Sequence, residues 1–142
     1  MRFPAALALL AVLALPAGCG GSSSSPESVV RAWSDALNAG DNERAASLFA
    51  EGAEVVQPGR VLFLRTHAQA VGFNSGLPCS GKIISMSTIG DTTTVTFLLG
   101  NRKASRCDAP GGRAVAAFEV HHGKIVLWHQ LPAPPPQPAP AV

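Results

Sequence analysis

The stretch VVRAWSDALNAGDNERAASLFAEGAEVVQPG, residues 29–59, predicts two helices followed by the start of a sheet. Its first part places apolar residues three and four positions apart, which is the spacing of an amphipathic helix. Ser25-Pro26, just before it, supplies an N-cap and a proline for the first helical turn. Asp41 is a second N-cap, and Phe49 is expected on the apolar face of the shorter helix that follows.

Short β-prone runs come next, at residues 53–57 and 60–64, around a Pro-Gly dipeptide that suits a type II turn. Thr66 and Gln69 then form a capping box for a third helix, which is expected to run to about Asn74. The first half of the chain therefore predicts three helices and one strand pair.

After Cys79 apolar and polar residues alternate, and this period of two indicates strands. Gly90-Asp91 is a two-residue hairpin turn, which places Ile89 opposite Thr92. The register counted back from that turn pairs Ile84 with Phe97, Ser85 with Thr96, Met86 with Val95 and Ser87 with Thr94. One face of this hairpin is predicted to be core and the other to be wet.

The last two strands, residues 113–121 and 124–131, form a second predicted hairpin in which His121 faces Lys124. Regular alternation gives this hairpin one face that is apolar apart from His129, comprising Ala114, Ala116, Phe118, Val120, Ile125, Leu127, His129 and Leu131. The other face is mixed and comprises Val115, Ala117, Glu119, Val126, Trp128 and Gln130. A large aromatic on that second face is typical of a buried contact.

These elements predict an α+β fold, in which a curved, mixed, mostly antiparallel sheet wraps the N-terminal helices as a cone-shaped barrel. Residues 29–59, with AGD between the first two helices, and the ending FEVHHGKIVLWHQL, residues 118–131, with GKI opening the last strand, resemble the nuclear transport factor 2-like superfamily. This superfamily includes the SnoaL-like and ketosteroid isomerase-like proteins. The resemblance covers residues 26–131 and implies a cavity between the sheet and the helices.

The segments outside that domain predict export. Residues 1–18 have a basic start, an apolar stretch and small residues before Cys19, and resemble a bacterial lipoprotein signal peptide. That resemblance implies that Cys19 is lipidated and anchors the protein to the membrane outside the cytoplasm, with ordinary secretion as the alternative. Residues 19–25 predict a flexible tether, and the Pro-rich residues 132–142 predict a disordered tail.

Two cysteines remain after Cys19, and an even pair in an oxidising compartment predicts a disulfide between Cys79 and Cys107. Two free buried thiols are the alternative. No metal site or cofactor is predicted, because two cysteines without CxxC spacing do not complete a zinc shell.

The chain has 11 basic and 9 acidic residues with no basic run in the predicted domain, so the charge pattern of a nucleic-acid binder is missing. The basic residues that cluster around one loop, Arg102, Lys103, Arg106 and Arg113, predict a solvated surface, with an anion site as the alternative.

A ligand pocket is predicted on the apolar face of the sheet and on the first helix, lined by Trp33, Phe97, Ala116, Phe118, Leu127 and His129. His129 is the candidate base, because it interrupts that face opposite the small Ala116 and imidazole titrates near neutrality. The alternative is a core histidine satisfied by one backbone or carboxylate partner, or a histidine at the rim of the sheet. Asp35, Glu54 and His67 are the candidate partners for His129.

The function predicted from these residues is binding of a small apolar ligand or of a partner protein, without established catalysis. A ketosteroid isomerase-type site uses a tyrosine in its oxyanion hole, and the chain contains no tyrosine. The alternative is a SnoaL-like enzyme, of isomerase, cyclase, dehydratase or hydrolase type, that acts on a hydrophobic substrate with His129 as acid or base.

A twofold homodimer is also predicted, through the hairpin face that carries Val115, Ala117, Val126 and Trp128. Exposed together, these side chains would form an apolar patch that monomeric proteins usually avoid. The alternative is that the Pro-rich tail folds back and stacks on Trp128.

Overall fold

The computed structural model describes residues 24–135, so the predicted signal peptide with Cys19, most of the tether and residues 136–142 of the tail lie outside it. In the described range the elements are α1 (Pro26–Asn38), α2 (Asn42–Ser47), β1 (Phe49–Gln57), β2 (Arg60–Leu64), α3 (His67–Gly76), β3 (Ser80–Ile89), β4 (Thr92–Gly100), β5 (Arg113–His121) and β6 (Lys124–Leu131). None of these helices is long and apolar enough to cross a membrane.

The six strands form one curved, unclosed sheet in the order β2-β1-β6-β5-β4-β3. Neighbouring strands run antiparallel except for β1 and β6, which are parallel. Helix α1 lies across the inner face and contacts β3, β4, β5 and β6. The predicted α+β fold, with a mixed and mostly antiparallel sheet around the N-terminal helices, is confirmed.

The predicted caps hold the helices where the sequence places them. The side chain of Ser25 accepts from the backbone N–H of Ser28 at 3.1 Å, that of Asp41 from Arg44 and that of Thr66 from Gln69. The predicted extent of α2 is wrong, because the helix ends at Ser47 and Phe49 begins β1. The chain leaves the helix there to join the sheet: the backbone N–H of Ile125 on β6 donates to the Leu48 carbonyl at 2.8 Å.

The first hairpin follows the predicted register near its turn and departs from it farther away. Ile89 pairs with Thr92, and the predicted pairs of Ser85, Met86 and Ser87 with their partners on β4 are all present. A β-bulge at Ile84 then shifts the strand, so that Ile83 and not Ile84 lies opposite Phe97. Ile84 is left 43% exposed.

A second bulge changes the last hairpin more deeply. His121 pairs with Lys124 as predicted, but Val126 is an extra residue, and beyond it Trp128 lies opposite Phe118 and His129 opposite Ala117. The predicted faces of β6 are therefore wrong from Leu127 onward. Trp128 enters the core, where it is 6% exposed, and Leu127 and His129 turn to the outer face of the sheet.

The core is built around aromatic rings on α1 and the inner face of the sheet. The ring centroid of Trp33 lies 5.3 Å from that of Phe118, 6.1 Å from that of Phe97 and 6.4 Å from that of Trp128. Cys79 and Cys107 form the predicted disulfide, which joins the chain just before β3 to the loop between β4 and β5.

Candidate functional site

A cavity of about 640 Å³ lies between the inner face of the sheet and α1. Helix α1, the segment after α3, and strands β4, β5 and β6 all contribute to its wall. Most of the larger side chains in the wall are aromatic or aliphatic: Trp33, Leu37, Leu77, Phe97, Leu99 and Trp128. Two small residues on β5, Ala114 and Ala116, line the cavity beside them. The site is thus an apolar cleft of the size that accommodates small ligands.

Polar side chains also contribute to the wall. Asp108 and Arg113 are exposed, whereas Gln57 and Gln130 are half-buried. Among residues 24–135, Arg113 forms no ion pair, so its charge is available to solvent. The cleft therefore combines apolar walls with a few polar groups that can orient a bound molecule.

Gly81 sets the distance between β3 and the ring of Phe97. A Cβ added at Gly81 would lie 3.0 Å from Cδ1 of that ring, which is closer than side chains normally approach. The carbonyl of Gly81 accepts from Asn38 Nδ2 at 2.9 Å and from Ser34 Oγ at 3.1 Å, and these bonds fasten α1 to the strand. This position therefore controls both the packing of Phe97 and the placement of α1.

The indole of Trp33 is fixed by a buried hydrogen-bond network. Its Nε1 donates to Asn74 Oδ1 at 2.8 Å, and Asn74 Nδ2 donates to the carbonyl of Ala70 at 2.8 Å. Asn74 is fully buried, and its amide satisfies the tryptophan N–H that would otherwise lose its hydrogen bond on burial. The orientation of the Trp33 ring in the wall of the cavity thus depends on α3.

Arg102 holds the end of that same helix. Its guanidinium donates to the carbonyls of Asn74 and Leu77, at 2.6 and 3.0 Å, and to Asn42 Oδ1 at 2.6 Å. Burial lowers the pKa of Arg102 from its ordinary value, while the negative end of the α3 dipole favours the charge. The prediction of a solvated loop is wrong for this residue, which is 8% exposed and joins three segments that support the cavity.

Trp128 is both a core residue and a wall of the cavity. Its ring lies edge to face against Phe73, with centroids 5.2 Å apart. Its Nε1 is buried and has no hydrogen-bond partner among the described residues. The packing of this ring therefore rests on apolar and aromatic contacts.

The predicted pocket residues divide between the two faces of the sheet. Trp33, Phe97 and Ala116 line the cavity. Phe118 is fully buried in the core, while Leu127 and His129 lie on the outer face because of the bulge in β6.

The predicted acid–base partners do not meet at the cavity either. Asp35 is exposed on α1, and Glu54 lies on β1 opposite Leu127, on the same outer face as His129. His67 Nε2 lies 2.6 Å from an oxygen of Glu43 on α2, and both side chains are more than half exposed. The structure thus places His129 and Glu54 on the side of the sheet that faces away from the cleft.

Sequence reasoning missed the contributions of Trp128, Gln130 and Arg102 to the site. Trp128 could have been recognised from the sequence, because a large aromatic side chain is poorly suited to the solvent-facing side of the sheet to which regular alternation assigns it. Nothing in the local pattern marks Arg102, because its three acceptors come from α2 and from the end of α3.

Comparisons with known proteins agree with this fold. Residues 30–128 match the family model described as a SnoaL-like domain. The fold is similar to that of an NTF2-like protein of unknown function from Cytophaga hutchinsonii, with 12% identity, a TM-score of 0.64, and 78% of this chain and 92% of that one covered. A search of curated proteins finds no match.

Two further solved structures share the fold. One is a putative polyketide cyclase from Sinorhizobium meliloti, 16% identical with a TM-score of 0.59, with 72% of this chain and 93% of that one covered. The other is a hypothetical protein with a ketosteroid isomerase-like fold from Catenulispora acidiphila in complex with trimethylamine, 18% identical with a TM-score of 0.59, and 78% and 88% covered. By the match to residues 30–128, this chain belongs to the SnoaL-like domain family.

Proposed function

We propose that this protein is an exported, lipid-anchored domain that binds a small apolar ligand in its cavity without acid–base chemistry. The observation that carries the proposal is the composition of the cavity wall: three aromatic rings, Trp33, Phe97 and Trp128, line an open cleft of about 640 Å³. Apolar surface of this kind binds by removing the ligand from water.

The strength of such binding can be bounded. A ligand that buries about 300 Å² of apolar surface gains roughly 7 kcal/mol at about 25 cal/mol per Å². Association and ordering cost at least about 4 kcal/mol of this. We therefore expect dissociation constants in the millimolar range for a probe that buries only this area, with tighter binding reserved for a molecule that buries more apolar surface or also uses the polar groups of the wall.

The enzymatic alternative depends on His129 acting as acid or base on a hydrophobic substrate. Some neighbours with this fold carry names such as putative polyketide cyclase, and those names describe those proteins. In this chain His129 lies opposite Ala117 and Val56 on the outer face, so its imidazole is separated from the cleft by the sheet. This placement favours the binding function over the catalytic one.

Binding is tested with the neutral dye N-phenyl-1-naphthylamine. We expect one dye per chain, with enhanced and blue-shifted emission. Ala114→Phe adds a ring to the cavity wall beside Phe97, and by filling part of the cavity it should weaken dye binding at least tenfold.

Ser87→Phe is the matched control for that experiment, because Ser87 is exposed on β3 and does not line the cavity. This variant should bind the dye like the wild type. Equal binding by both variants would show that the dye does not occupy the cleft, and absence of binding to the wild type would contradict the proposal.

The anchor is tested separately. When the protein is produced in bacterial cells and extracted with detergent, the wild type should partition into the detergent phase. The Cys19→Ala variant should appear as a folded domain in the aqueous phase. The reason is that the acyl chains of a lipidated cysteine are the expected membrane attachment. Recovery of the unaltered protein in the aqueous phase would count against lipidation.

A further inference from the structure

The cavity wall includes the beginning of the Pro-rich segment. Pro132 and Ala133 follow β6 directly, and both line the cleft together with Leu131 and Trp128. The chain thus leaves the sheet at the cavity itself, and residues 136–142 continue from there outside the described range.

The chemistry of this segment matches the chemistry of the cleft. Residues 132–142, PAPPPQPAPAV, contain six prolines, no glycine and no charged side chain. Proline fixes φ, so such a sequence loses little conformational entropy when it docks. Pro-rich peptides in the extended polyproline conformation bind grooves lined by aromatic rings. Trp33, Phe97 and Trp128 form a wall of this kind here.

The position of Trp128 determines where such docking can occur. Since the bulge in β6 turns this ring inward and leaves it 6% exposed, a segment that contacts it must enter the cleft and not lie on the outer sheet face. Residues 136–142 are long enough, because a polyproline-type chain extends about 3.1 Å per residue and so reaches on the order of 20 Å.

We propose that the Pro-rich segment of this chain, residues 132–142, docks in the cavity and competes there with the apolar ligand. This proposal rests on the proposed function only in that both place their ligand in the same cavity. A short segment joined to its own site acts at an effective concentration in the millimolar range. An intrinsic dissociation constant near one millimolar is therefore enough for the segment to weaken ligand binding severalfold.

The test compares the full mature chain with a chain that ends at Pro135. The shorter chain keeps Pro132 and Ala133 in the cavity wall. N-phenyl-1-naphthylamine is the probe, and we expect the shorter chain to bind it about three- to tenfold more tightly, with the same stoichiometry. A length-matched full chain in which Pro136, Pro138 and Pro140 are replaced by serine should behave like the shorter chain. Equal affinity of the full and shorter chains, or weaker binding by the shorter one, would overturn the proposal.

A synthetic peptide of residues 132–142 provides a second measurement. Added to the shorter chain, it should change the tryptophan emission with a dissociation constant near one millimolar, whereas a peptide with serine in place of the prolines should not. This titration does not use the dye, so it separates the two proposals. If no dye binds but the peptide does, the ligand proposal fails and the docking stands; if the peptide leaves the emission unchanged, the docking fails.

Discussion

Trp128 and His129 are adjacent in sequence and occupy opposite environments. The tryptophan ring packs against Phe73 and Trp33 and is 6% exposed. The imidazole lies on the outer face, half-buried, opposite Ala117. The chemistry that each residue can support follows from this difference, because only the first of them lines the cleft.

This contrast predicts that replacement by glutamine lowers the free energy of unfolding by different amounts at the two positions. Trp128→Gln removes a core ring and buries an amide, so we expect the free energy of unfolding to fall by about 4 kcal/mol or more. His129→Gln exchanges one polar group for another at a partly solvated site and should cost less than about 1 kcal/mol. Urea denaturation of the two variants measures both values. Equal costs, or a larger cost at His129, would mean that β6 follows regular alternation after all.

At the scale of elements, the predictions succeeded where the determinants are local. The Ser25, Asp41 and Thr66 caps and the two hairpin turns depend on residues within a few positions of one another, and all of them form as predicted. The Cys79–Cys107 disulfide followed from the number of cysteines and is present.

The predictions failed where packing between distant elements decides the outcome. A β-bulge interrupts the hydrogen bonds between two neighbouring strands, which costs free energy. At Val126 this loss is offset because the bulge lets Trp128 be buried against Trp33 of α1 and Phe73 of α3. Neither contact is visible in the pattern of the strand itself. Because a shift of one residue reverses the faces of everything beyond it, this single bulge moved His129 out of the predicted site and brought Trp128 into it.

On the scale of the whole molecule, the outer face of the sheet remains partly apolar after this correction. Trp128 no longer belongs to the face predicted for a dimer, whereas Val115 and Ala117 do. Val61 and Phe63 on β2 add to it and are 53% and 51% exposed. The homodimer therefore stays a prediction, with its centre moved toward β2.

This dimer is expected to depend on Phe63, since a half-exposed aromatic on a sheet face is the type of side chain that contributes most to an interface. We expect the lipid-free wild type to sediment as a dimer at micromolar concentration and Phe63→Lys to sediment as a monomer, because the lysine would place a charge between the two copies. Ile89→Lys is the matched control: Ile89 is 82% exposed at the turn between β3 and β4, at the opposite edge of the sheet, so this variant should remain dimeric. Dye binding in the cavity should be unchanged in both variants, which shows that each is folded. A monomeric wild type would refute the dimer, and a dimeric Phe63→Lys protein would place its interface elsewhere on the molecule.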